Sequence, residues 1–412
     1  MMSLTLTVHR GTREIGGSCI EIAHPDGARL VLDAGRPLDA PVGASGLLPA
    51  SLDRVKPATV LVSHPHQDHH GLLHELPKDW VVWTGQASAR LIAISEKMAK
   101  TSAPRGLRTW TSRGAPLRFG PFTVTPILTD HSAFDAYMLL VEGAGRRILY
   151  TGDFRRHGRK SSLVDALIAR PPKEVDVLVC EGTNLGTDKP TATEAELEGE
   201  FAALFRRTRG RIFVAWSGQN IDRTVTLYRA AKRTGRTLVI DLYTADVLDR
   251  IADGTKLPRA GFPNLKVVVT AGLRTFYVVQ GREEFVSRMV PHGVAARNVP
   301  ADAVVMIRRS LIRDYSRAGL HPTKDDAFNH SMWRGYLKEA YYAEPLEWCR
   351  AGGAKLAYLH TSGHASSDDL RAFAAAMSAK VVVPVHGQNW DAQGHGFDAI
   401  HRLGDGEPWV LQ

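Results

Sequence analysis

Cysteine is scarce in this chain. Cys19, Cys180 and Cys349 are the only three in 412 residues. Odd in number and widely spaced, they suit neither a disulfide framework nor a thiolate zinc site, so a reducing cytoplasm is the expected setting. Long apolar runs are also missing. No uninterrupted stretch is long enough to span a bilayer, which points away from a membrane. The opening residues Met1 to Arg10 lack a basic region followed by an apolar core, so they do not read as a secretory leader. Their alternation predicts a first strand. There is no internal repeat, low-complexity segment or long linker. The hydrophobic share of 44% and charged share of 23% suit a globular protein, long enough for two or three domains.

Acidic residues are the minority charge. Lys and Arg number 52 against 43 Asp and Glu, a formal charge of +9. Basic residues cluster at Arg155-Arg156-His157-Gly158-Arg159-Lys160, at Arg206 to Arg211, and at Arg308-Arg309 with Arg313 and Arg317. A polyanion such as nucleic acid would account for them, and so would an ordinary solvated surface.

The segment Ser63-His64-Pro65-His66-Gln67-Asp68-His69-His70-Gly71 is dense in chemistry. It places His-x-His-x-Asp-His directly after the apolar run Thr59 to Val62. Imidazole and carboxylate together suit zinc and its neighbours, and a strand end holds them rigidly while leaving one side open.

Short strands dominate to about residue 185. They include Arg29 to Asp33, Ala58 to Val62, Phe122 to Leu128 and Arg147 to Tyr150. From about 190 to 350, helices alternate with strands: Glu194 to Thr208, Ile212 to Trp216, Ile221 to Arg233, Thr237 to Asp241, then strands Lys266 to Val269 and Ala303 to Ile307. That alternation predicts a parallel α/β domain. The last stretch has strand Lys355 to Leu359, helix Ser367 to Met377 and strand Val381 to Val385. Further polar residues fall just past strands: His131, Asp153, Glu181, His364 and His386. A lone strand-end histidine is more often structural than a ligand. Several converging on one sheet edge reverse that expectation.

With these residues in view, the pattern resembles a known family. His64-x-His66-x-Asp68-His69, His131, Thr151-Gly152-Asp153 and Val385-His386-Gly387 look like the ligand series of the metallo-β-lactamase fold. Glu181, Ser362-Gly363-His364-Ala365 and Pro384-Val385-His386 match the additional motifs of the β-CASP nucleases, and the resemblance is closest to ribonuclease J and its shorter bacterial and archaeal relatives. It implies an α/β fold: a metallo-β-lactamase αββα sandwich over 1–188 and 351–412, interrupted by a parallel α/β β-CASP domain over 189–350, with the active site in the cleft between them.

The resemblance also implies a site. His64, His66 and His131 would hold one divalent metal. Asp68, His69 and His386 would hold another, with Asp153 bridging. Zinc is the first choice, with manganese or magnesium as alternatives. Two such ions about 4 Å apart give a water-derived hydroxide near neutral pH and neutralise a phosphodiester. The implied catalytic residues are Asp68, Glu181 and His364, with Glu181 orienting His364 at the leaving oxygen or scissile phosphate. Asp33 would orient a metal ligand. His70, His74, His321 and His330 read as structural or exposed.

Candidate substrate contacts are Ser217, Gln219, Arg308, Arg309 and His364. Helix-start amides at Ser217 to Asn220 suit a phosphate as well as an ordinary cap. Trp216, Trp333 and Tyr336 could stack on bases, but are expected to pack in the core. The expected activity is hydrolysis of single-stranded RNA, as an exonuclease, an endonuclease or both. A β-CASP DNA nuclease and a small-molecule hydrolase of the same fold are the alternatives. Two departures stand out. Met306-Ile307-Arg308-Arg309-Ser310 replaces a Gly-Ser-Gln-Gly-Glu-like stretch, and the chain stops soon after its last motif. Subunit number therefore stays open, with a homodimer among the options.

Overall fold

The computed structural model describes residues 3–41, 43–101, 106–111, 114–187, 191–252, 254–393 and 396–412. Contacts divide the chain into two compact units. Residues 1–191 and 363–412 form the first, and 192–362 the second.

The first unit follows from strands whose two faces are both apolar. One sheet has the order Pro408–Val410, Thr5–Arg10, Cys19–Ala23, Arg29–Leu32, Thr59–Leu61, Val81–Gly85, Leu107–Trp110. The other runs Val381–Pro384, Val177–Cys180, Arg146–Tyr150, Tyr137–Gly143, Phe122–Leu128, Leu117–Phe119. Successive side chains point to opposite faces of a strand. Leu30 and Leu32 therefore share one core with Leu139, Val141, Val177 and Val179 of the facing sheet. Their neighbours point the other way. Val31, Val60 and Val82 pack with Ile92 of the helix Gln86–Ala99. Leu140, Leu149 and Leu178 pack with Val164, Leu370 and Phe373 of the helices Ser161–Ala169 and Ser367–Met377. The result is helix, sheet, sheet, helix.

Strand direction decides where polar residues collect. Arg29–Leu32 and Thr59–Leu61 are parallel. Arg146–Tyr150, Val177–Cys180 and Val381–Pro384 are parallel in the second sheet. Phe122–Leu128 shares their direction, because Tyr137–Gly143 is antiparallel to both it and Arg146–Tyr150. The segments leaving these strands carry Asp33, His64, His131, Asp153, Glu181 and His386.

The second unit is a parallel sheet in the order Gly293–Val294, Leu265–Val268, Leu238–Asp241, Val304–Met306, Ile212–Ala215, Ala327–His330, Lys355–Ala357. Its central strands Ile212–Ala215 and Val304–Met306 are continuous buried apolar runs, as strands covered on both faces are. Thr193 and Glu196 form a reciprocal capping box that starts the helix Glu194–Arg207. Asn220 caps Ile221–Arg233 and Asp241 caps Leu242–Ile251. Trp216 is buried as expected. Trp333 is not: its side chain is 62% exposed, since the chain leaves the sheet at His330 and turns into the short 3-10 segment Arg334–Lys338.

Candidate metal centre

The loop after Thr59–Leu61 turns into the single helical turn Gln67–His70, which puts Asp68, His69 and His70 on consecutive directions of a helix. Its backbone is held from outside. Asp68 O accepts from Ser18 N (3.0 Å), and His69 O accepts from Ala34 N (2.9 Å). Gly35 makes that approach feasible, since a Cβ there would lie 1.7 Å from Asp68 O.

Four of the five histidines are pinned through one ring nitrogen. His69 Nδ1 donates to Asp33 Oδ2 (2.8 Å). Ser63 Oγ donates to the same oxygen (2.8 Å), which leaves it to accept from His64 Nδ1 (3.0 Å). His131 Nδ1 donates to the Gly363 carbonyl (2.6 Å). His386 Nδ1 lies 2.8 Å from the Thr183 hydroxyl. Hydrogen bonding at one nitrogen fixes the tautomer and directs the other, as metal-binding histidines require. Asp33 is the hub of this arrangement. It accepts additionally from Ser63 N (2.7 Å) and Tyr150 Oη (2.7 Å), and it sits at φ 63°, a conformation that non-glycine residues rarely hold.

The remaining atoms converge. His64, His66, His131 and Asp153 offer donor atoms all within 4.8 Å of one another, and Asp68, His69, Asp153 and His386 do the same. Asp153 belongs to both groups. His131 Nε2 lies 3.0 Å from His66 Nδ1, and His386 Nε2 lies 3.3 Å from Asp68 Oδ2. Among the described residues, Asp153 Oδ1 is buried without a hydrogen-bond partner, and His69 Nε2 has only the Asp153 carboxylate, 3.2 Å away. Such orphaned atoms are costly unless a ligand meets them.

The electrostatics agree. Burial, reinforced by neighbouring imidazoles, holds His64 and His131 well below the ordinary histidine range. Burial also lowers His66. Both effects favour the neutral ring, the form that binds metal. Around His69, burial is outweighed by Asp153, Asp33 and Asp68, which raise it well above that range. Three carboxylates around one imidazole form a site for added positive charge. The donor set thus fits divalent cations on both groups.

Glu181 and His364 sit beside these groups. Glu181 is buried and accepts from Phe154 N (3.1 Å) and Thr183 N (3.2 Å). Its two oxygens lie 3.2 and 3.1 Å from His364 Nδ1. Burial alone would lower His364, but Glu181 and Asp153 raise it to about 9. Asp153, Glu181, His364 and His386 also form a third group of mutually close donors, which sequence reading did not separate.

Of the other candidates, Ser217, Gln219, Arg308 and Arg309 lie in the second unit. Ser217 is exposed. Gln219 Nε2 donates to Tyr243 Oη (2.8 Å). Arg308 pairs with the buried Asp241 (3.1 Å) and lies over the Tyr243 ring. Arg309 pairs with Glu344 (2.7 Å). His70 is buried, and burial lowers it to about 4. Sequence reading missed Ser63, Tyr150 and Thr183, whose hydroxyls carry no spacing signal.

Comparison with known proteins adds two domain matches and a set of relatives. Residues 12–182 match the metallo-beta-lactamase superfamily, and residues 353–405 match the Zn-dependent metallo-hydrolase RNA specificity domain. The chain carries a metallo-beta-lactamase domain together with an RNA specificity domain. It is 24% identical over 426 residues to ribonuclease J of Helicobacter pylori (strain ATCC 700392 / 26695), covering 97% of this chain and 58% of that protein. It is 25% identical over 409 residues to ribonuclease J of Mycobacterium tuberculosis (strain ATCC 25618 / H37Rv), covering 93% and 69%. The chain thus spans less than two-thirds of the Helicobacter relative's length. A crystal structure of a protein of unknown function from Enterococcus faecalis V583 superposes with a TM-score of 0.78 at 18% identity, covering 99% of this chain and 100% of that one. That likeness shows the fold. A metallo-beta-lactamase domain with these His and Asp groups is one that uses divalent metal. Among the described residues, no helix is long and apolar enough to cross a membrane.

Proposed function

We propose that this chain is a metal-dependent ribonuclease that hydrolyses phosphodiester bonds of single-stranded RNA. The observation that carries the reading is the meeting of two donor groups at Asp153, with the Glu181–His364 pair alongside. Two zinc ions are proposed, because His64, His66, His69, His131 and His386 outnumber Asp68 and Asp153. Bound there, divalent cations supply Lewis-acid charge to a phosphodiester and lower the pKa of water.

The chain's own residues do the rest. Asp33, Ser63, Thr183 and the Gly363 carbonyl hold the imidazoles in place before substrate arrives. Glu181 accepts a hydrogen bond from His364 Nδ1 and stabilises the imidazolium, whose Nε2–H can then pass its proton to the leaving oxygen. Asp68 completes the second donor group. The RNA specificity match over 353–405 and the ribonuclease J names of the relatives support RNA over DNA. A small-molecule hydrolase would have no use for the Glu181–His364 pair. Three buried free thiols support a reducing compartment such as the cytoplasm.

The test uses matched 5′-labelled single-stranded RNA and DNA, each with a 5′-monophosphate or a 5′-hydroxyl, and protein loaded with zinc or manganese. RNA cleavage that Asp68→Ala abolishes is expected. Early labelled mononucleotide identifies an exonuclease, and internal fragments an endonuclease. Cleavage of DNA alone, or of neither polymer with metal bound, overturns the reading.

A further inference from the structure

The second unit carries an aromatic surface that the metal centre does not explain. Trp333 is 62% exposed and Tyr341 is 46% exposed. Large aromatics left in water at one place on a surface mark a contact site more often than chance. The rings here are contiguous. Trp333 meets Tyr336 edge-on at 5.5 Å, Tyr336 stacks on Tyr342 at 4.9 Å, and Tyr341 meets Tyr342 at 5.1 Å.

Trp333 is held in position. Its carbonyl accepts from Tyr336 N (3.2 Å) and from His330 Nε2 (3.3 Å). Its six-membered ring lies against the Gly335 backbone, where a Cβ would come within 2.1 Å of Cη2. Only glycine leaves room for the indole there. A ring fixed this way loses little rotamer freedom on binding, which favours stacking of a flat partner. Cations stand beside the rings, together with the carboxylates of Glu339 and Glu344. The Arg334 guanidinium lies 3.9 Å over the Tyr358 ring, and Arg334 and Lys338 are both exposed. Flat rings beside guanidinium and ammonium groups suit nucleobases joined by phosphates.

We propose that Trp333, framed by Tyr336, Tyr341 and Arg334, is a base-stacking platform for single-stranded RNA, separate from the metal-binding residues. The choice of RNA as occupant rests on the function proposed above. Aromatic stacking is sequence-tolerant, because every base has a π-face. The platform therefore contributes affinity without dictating sequence.

The test is binding by the full chain carrying Asp68→Asn, so that turnover does not intervene. The probes are a fluorescent oligoadenylate and a ribose-phosphate strand of equal length without bases. Trp333→Ala is expected to weaken oligoadenylate binding roughly tenfold and to leave the abasic strand unchanged. Trp333→Phe is expected to restore most of the loss, and tryptophan quenching by oligoadenylate is expected to disappear with Trp333. Equal oligoadenylate affinity in the Asp68→Asn chain with and without Trp333→Ala overturns the proposal. So does absence of binding to the unsubstituted platform. A loss of affinity accompanied by a change in sedimentation also overturns it, because the surface would then be a contact between copies of the chain. Binding and cutting are read apart. A chain that binds through Trp333 but cuts no RNA keeps the platform and loses the nuclease, and one that cuts RNA without using Trp333 does the reverse.

Discussion

Asp33 Oδ2 lies 2.8 Å from His69 Nδ1, with both side chains fully buried and neither exposed to a candidate substrate. The carboxylate acts through the imidazole. Asp33→Asn should therefore weaken zinc binding about 10- to 100-fold while the fold persists. Zinc content after dialysis against graded chelator measures this directly. Cleavage should return at raised zinc. Unchanged zinc retention would remove Asp33 from its positioning role.

Glu181 and His364 make the opposite prediction. They pair with one another through both carboxylate oxygens, outside the His64 and His69 groups. His364→Ala should lower kcat about 100-fold or more with zinc content unchanged, as expected for a proton donor. Glu181→Gln should lower kcat by less, since the imidazole remains. The double variant should cost no more than His364→Ala alone, because the two act as one unit. Loss of zinc in His364→Ala would make His364 a ligand of the third donor group instead.

A pH prediction comes from Glu21, in the middle of the strand Cys19–Ala23. Burial raises Glu21, but hydrogen bonds from His9 and Arg29 outweigh it and bring the carboxyl to about 2. The folded pKa is depressed, so the stabilisation is present above the unfolded value of 4.5 and is lost as pH falls toward 2. Partial exposure screens the pair, leaving about 1 kcal/mol. Glu21→Gln should thus melt below wild type at pH 7, with the gap closing as pH falls through that window. Paired thermal melts across the range decide it. A gap independent of pH would mean that packing, not charge, holds Glu21.

Much of this fold and site is legible in the chain. Four donors within six residues follow an apolar strand, and His131, Asp153, Glu181 and His386 each leave a strand in the same direction. A sheet edge then gathers them without further instruction. The supporting hydroxyls were not legible. Ser63, Tyr150 and Thr183 meet Asp33 or His386 through hydrogen bonds that no spacing announces. Trp333, expected in the core with base stacking as the alternative, is exposed. Here His330 ends the strand, and the missing Cβ at Gly335 leaves room for the exposed ring. Strand Lys355–Ala357 reads the same in either unit, and only its pairing with Ala327–Asn329 assigns it to the parallel sheet.

Arg308 looked from sequence like a phosphate contact, yet its guanidinium lies 3.1 Å from Asp241, which is fully buried at the start of the helix Leu242–Ile251. Removing one member of such a pair strands a charge in low dielectric, and that penalty outweighs the worth of the pair itself. Arg308→Ala should therefore destabilise the second unit by about 2–3 kcal/mol. Adding Asp241→Asn should recover part of that loss, because the amide still caps the helix through its oxygen and leaves no unpaired charge. Arg309→Ala should change stability by under about 0.5 kcal/mol, since its Glu344 partner is exposed. Denaturant unfolding of the three variants separates the roles. If Arg308→Ala left stability unchanged and weakened RNA binding, the ion pair would be incidental, and Arg308 would serve the substrate instead.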